Sequence, residues 1–91
     1  MGEASSCIRG MLENLGFKVL DLRLFSLEGE EVRTESEASY VRVEASHELS
    51  SHLKITHIFT FALLRRRDKL KVVFLQSAIK ISDESAPLLS K

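Results

Sequence analysis

Residues 54–81 read KITHIFTFALLRRRDKLKVVFLQSAIKI, two apolar runs separated by three consecutive arginines. So short a polar break between runs rich in β-branched and aromatic residues predicts an antiparallel hairpin. Its register then decides almost everything else, because a slip of one residue swaps the faces of one strand relative to the other. A two-residue loop at Arg67 and Asp68 sets Phe61 opposite Phe74 and Ala62 opposite Val73, scattering polar groups over both faces. A three-residue loop, Arg66 to Asp68, sets Ile55 opposite Ile79, His57 opposite Ser77, Phe59 opposite Leu75 and Phe61 opposite Val73. That face is almost wholly apolar, so segregation favours the longer loop. The other face then gathers Ile58, Ala62, Leu64, Leu70, Val72 and Phe74 toward the arginine end.

The rest of the chain supplies partners for this hairpin. Residues 5–16 predict a short helix, capped at Ser5 or Ser6 and stopped at Gly16, with Ile8, Met11, Leu12 and Leu15 forming an apolar stripe. About three turns do not persist alone in water, so the stripe must pack on something. Residues 17–25 and 39–45 alternate as half-buried strands. In the first, Leu20, Leu22 and Leu24 share one face and Asp21 and Arg23 the other. Val41, Val43 and Ala45 repeat the pattern against Arg42 and Glu44. The acidic segment between them carries a Glu28-Gly29 turn and room for strand extension through Val32. Polar residues 46–52 read as a turn. The expected fold is α+β, one N-terminal helix on a four-stranded antiparallel meander. Residues 1–81 form this single domain and residues 82–91 a flexible tail.

With 91 residues, the chain can bury one modest core without staples. Its single cysteine, Cys7, excludes an internal disulfide and fits a cytoplasmic location. No apolar stretch approaches the roughly 20 residues of a membrane helix. Only two side-chain amides occur, Asn14 and Gln76, a depletion that fits a protein from a hot source. Net charge is zero, yet residues 1–50 carry ten acids and five bases, while residues 51–91 carry three acids and eight bases. Such asymmetry suits an anionic partner or self-association.

Enzymatic constellations are absent from the sequence pattern. HELSSH places His47 and His52 five apart, so on a helix their rings diverge by roughly 140° and the zinc-protease geometry fails. The glutamates between 28 and 37 lack a calcium loop's Asp/Asn ladder. His57 reads as a core histidine satisfied by Ser77, and Cys7 as an inert thiol. Neither catalytic, metal nor cofactor-binding residues are expected. The apolar outer face of the last two strands therefore predicts a protein-interaction module, a homodimer or a small subunit of a larger complex. The alternative reading is nucleic-acid binding through the tip, with Arg65, Arg66, Arg67, Lys69 and Lys71 against phosphates. A third use of the tip is pairing with a neighbouring subunit's acidic loop, through Glu28, Glu30, Glu31, Glu35 or Glu37.

Overall fold

The computed structural model describes residues 2–83, the last three for their backbone only. Its elements are α1 (Glu3–Asn14), β1 (Lys18–Phe25), β2 (Glu31–Val32), a 3-10 turn (Glu35–Glu37), β3 (Tyr40–Glu48), β4 (Leu53–Arg66) and β5 (Lys69–Asp83). The strands pair antiparallel in one sheet of order β2-β1-β3-β4-β5. The α+β architecture is the expected one, with a short fifth strand where the acidic connection was placed. β5 runs through Asp83, past the expected domain end at 81, and the rest of the expected tail lies outside the described residues.

The helix stops where the sequence places its stop. Gly16 takes φ 94°, its N–H bonds to the Glu13 carbonyl and that of Phe17 to Leu12, closing the last turn in a Schellman arrangement. Its start differs from expectation. Neither serine caps it; Gly2 occupies the cap position. The Glu35 carboxylate instead accepts the N–H of Ala4 at 3.1 Å and of Ser5 at 2.8 Å. A Cβ on Gly2 would come within 2.3 Å of that carboxyl group, so glycine admits the capping side chain. Arg65 fixes the capping turn from β4, donating to the carbonyls of Ala38, at 2.9 Å, and Glu35. The start of α1 is thereby tied to the stem of the β4–β5 hairpin.

On the sheet, α1 lays Ala4, Ile8 and Leu12 against Leu24, Val41, Val43, Phe61 and Leu63, and all are buried. Met11 and Leu15, assigned to the same stripe from spacing, are instead exposed on its flank. The β1 face assignment also changes. Val19 pairs with Ala45 and Asp21 with Glu44, leaving Leu20 as an extra residue in a bulge. Val19, Leu22 and Leu24 therefore face the helix, while Leu20 is exposed.

The hairpin register combines features that the sequence set against each other. Its loop is the two-residue one, with Arg66 opposite Lys69 and Phe61 opposite Phe74. Arg67 carries φ 58° and Asp68 does not, the sign pattern of a II′ turn whose first central position favours glycine. Beyond Phe61 the pairing slips at a bulge, so that Thr60 faces Gln76 and Leu75 is the extra residue. Odd-numbered residues face odd ones from there on, with Phe59 opposite Ser77 and His57 opposite Ile79. The three-residue loop and the predicted His57–Ser77 pairing are thus corrected. One inserted residue reconciles a tight, twist-compatible turn with apolar segregation farther down.

Three consequences can be measured. Glu35→Ala should lower stability by about 1 kcal/mol in denaturant titrations, the usual size of a lost helix cap. Partial burial alone would raise the Glu35 carboxyl, but the Ser5 and Ala4 amides and Arg65 reverse it, so it sits below its ordinary value of 4.5. A depressed carboxyl stabilises the fold above its unfolded value and loses that contribution as pH falls through the folded one. The wild type should therefore weaken as pH drops below about 4.5, and Glu35→Gln should blunt that dependence. Arg67→Gly should raise stability by about 0.5–1 kcal/mol in the same assay, since relief of the left-handed strain outweighs the added chain entropy.

Candidate functional site

Among the described residues a single helix leaves the β4–β5 side of its sheet face open. The result is a groove of about 630 Å³ between the flank of α1 and the outer strands. Cys7, Met11 and Leu15 form the helical wall, while Phe59, Phe74 and Ile79 lie on the strand side. Among the described residues no Asp, Glu, Lys or Arg lines it. Phe61 at its base is 4% exposed, whereas Phe74 and Ile79 at its outer side are 54% and 61% exposed.

Aromatic rings fill one end of this groove. His57 stacks on Phe59 with centroids 5.3 Å apart, and Phe17 meets both edge-on at 5.0 and 5.4 Å. Phe74 closes the series against Phe59 and Phe61, at 6.2 and 5.7 Å. Offset and edge-to-face contacts of this kind add to simple burial. His57 is thus held between rings.

The groove runs beside an unprotected sheet edge. β5 is 15 residues long and pairs with β4 alone among the described residues. A free edge presents unsatisfied N–H and C=O groups to any compatible strand. It contains neither glycine nor proline. Leu70, Phe74, Leu75 and Ile79 are all exposed along it.

The residues singled out from sequence divide between the two faces. Ile58, Ala62 and Leu64 point away from the helix, whereas Leu70, Val72 and Phe74 lie on the helix side, opposite Arg65, Leu63 and Phe61. The expected six-residue outer patch is therefore not one surface. Its β5 half was displaced by the turn length, which puts even-numbered β5 residues opposite odd-numbered β4 residues near the tip. Of the basic residues, Arg66, Arg67 and Lys69 surround the turn with Asp68, and Lys71 follows on the outer face opposite Leu64. Arg65 does not join them, because its guanidinium is engaged by the carbonyls of Glu35 and Ala38. Cys7, read as inert, lines the groove and is exposed. Its spacing with Met11 and Leu15, four residues apart each time, was the available sign of a second stripe beside the buried one.

Among the described residues, no cluster of three or more metal-ligating groups occurs, and no helix is long and apolar enough to cross a membrane. Comparison with known proteins adds no assignment: no family model matches the chain, and no curated protein or solved structure matches it.

The energetic roles of the groove residues should differ sharply. Phe61→Ala should cost about 3–5 kcal/mol in equilibrium unfolding, the range for a buried aromatic side chain. Ile79→Ser, at the open side, should change stability by less than about 0.5 kcal/mol. It should nonetheless reduce binding of an environment-sensitive apolar dye.

Proposed function

We propose that this chain is a non-enzymatic protein-interaction module that pairs with a second copy of itself along β5. The observation that carries the reading is the coincidence of a long free edge with a row of apolar side chains beside it. An added strand would satisfy the edge's backbone groups and direct alternate side chains toward the groove. A second β5 suits both tasks. Run antiparallel about a two-fold axis, it brings a matching edge and its own helix-side row of Leu70, Val72, Phe74 and Ile79. The helix of a second copy fits the groove less well. Its face opposite Ile8 and Leu12 carries Glu3, Ser6, Gly10 and Glu13, which would set polar groups on Phe59 and Phe74.

The association moves from the expected outer patch to the edge and helix side of the last strand. Sedimentation equilibrium should give a mass near twice 10.3 kDa. Ile79→Lys and Phe74→Lys should each return the chain to monomer mass while far-ultraviolet circular dichroism keeps the wild-type shape. A wild-type chain that sediments as a monomer at every concentration would sink the proposal.

A further inference from the structure

The face of the sheet turned away from α1 carries a different chemistry, independent of the edge. Phe25 lies opposite Tyr40, Tyr40 opposite Ala62, and Ala62 opposite Val73, in one row across four strands. Their chain neighbours Leu24, Val41 and Phe61 are buried on the helix side, so alternation sends Phe25 and Tyr40 out of the opposite face. Both rings are half-buried. The small Ala62 and Val73 leave a low apolar floor beside them.

Cations border this row on both sides. Toward the tip, Leu64 pairs with Lys71 and Arg66 with Lys69, about 7 and 14 Å farther along the strands. On the other side the Arg42 guanidinium lies over the Phe25 ring, 5.1 Å from its centroid. Acids stand here too: Glu31 is the cross-strand neighbour of Phe25, Glu44 lines the same hollow as Phe25 and Arg42, and Asp68 sits in the turn, so the positive surplus lies at the tip. Asp21 and Glu31 pair with Arg23 at 2.7 and 3.5 Å, and Glu44 lies beyond Arg42, opposite Asp21. Arg66, Lys69 and Lys71 form no ion pair with a described residue.

We infer that this face is a binding platform for single-stranded nucleic acid, with unpaired bases stacked on Tyr40 and on the Arg42 guanidinium that covers the Phe25 ring, and the backbone phosphates on Arg66, Lys69 and Lys71. Charge complementarity selects an anion, and the stacking surfaces select among anions. Base–aromatic stacking is the feature that exposed bases supply and acidic peptides do not. A duplex hides its base faces and offers a flat sheet little beyond phosphates. The site differs from a hairpin-tip contact because its centre is Tyr40 with the Arg42-covered Phe25, and Arg65 takes no part.

The chain contains one tyrosine and no tryptophan, so its intrinsic emission reports on Tyr40 alone. Titration at low salt with an unstructured oligouridylate, and separately with oligothymidylate, should quench that emission after correction for base absorbance. The same sequence annealed into a duplex should bind at least ten-fold more weakly. Labelled-oligonucleotide anisotropy then separates the parts. Phe25→Ala and Tyr40→Ala should each weaken binding about five-fold or more. Arg66→Ala, Lys69→Ala and Lys71→Ala together should flatten the log–log salt dependence by about 2. Phe25→Leu and Tyr40→Leu preserve apolar bulk, and each variant's thermal melt establishes that it is folded. The inference fails if neither single strand quenches Tyr40, or if duplex binds as well. It also fails if folded ring variants bind like wild type, or if polyglutamate displaces the oligonucleotide with equal efficiency; these results would reduce the face to a general anion surface.

Discussion

One α-helix is about 10 Å across, while strands repeat every 4.8 Å or so, and a single helix therefore covers about two strands. This chain sets one helix on a five-stranded sheet. Where the helix sits then decides what remains open. Glu35 holds its first turn, Arg65 holds the Glu35 segment, and Gly16 ends it above the opposite end of β1. These anchors place Ile8 and Leu12 over Leu24, Val41 and Phe61. Among the described residues nothing covers the outer part of β4–β5, and the groove follows from that mismatch. Phe61 shares its burial with the helix, whereas Phe74, on the neighbouring strand, lies more than half exposed.

The bulge at Leu75 is the second determinant. A strand read by strict alternation has one phase from end to end; a bulged strand has two. In β5 the even residues face the helix near the tip and the odd residues do so beyond Leu75. Segregation over the whole hairpin therefore cannot identify its register, although it describes the far half correctly in which residues share a face. The same failure occurs at Leu20, where a bulge in β1 moves Val19 into the helix-facing row.

What was legible in the sequence depended on how local its cause is. Gly16 was readable because a left-handed helix stop depends on the residue that adopts it. Val41, Val43 and Ala45 were readable because β3 keeps one phase, and all three are fully buried. The cap was not, because Glu35 lies some 30 residues from the amides it accepts. The arginine triplet was only half readable. Arg65 resembles its neighbours in sequence, but strand alternation sends it to the helix side while Arg66 faces outward beside Lys69. The groove required helix placement and sheet width together, neither of which any short segment contains.

The unequal charge of the two halves acquires its meaning from this placement. The N-terminal acids do not form one patch. Glu35 is drawn into the helix cap, and Asp21 and Glu31 gather around Arg23. Among the described residues the cations at the hairpin tip are accompanied by Asp68, so a neutral chain presents a local positive surface there. β5 joins that surface to the groove because a strand points its side chains both ways. Leu70, Val72 and Phe74 run along the helix side, while Lys69, Lys71 and Val73 run along the other. Mutations that change one row can therefore leave the other in place. The long hairpin thus carries an apolar row on its helix side and a cationic row on the other, built from different side chains.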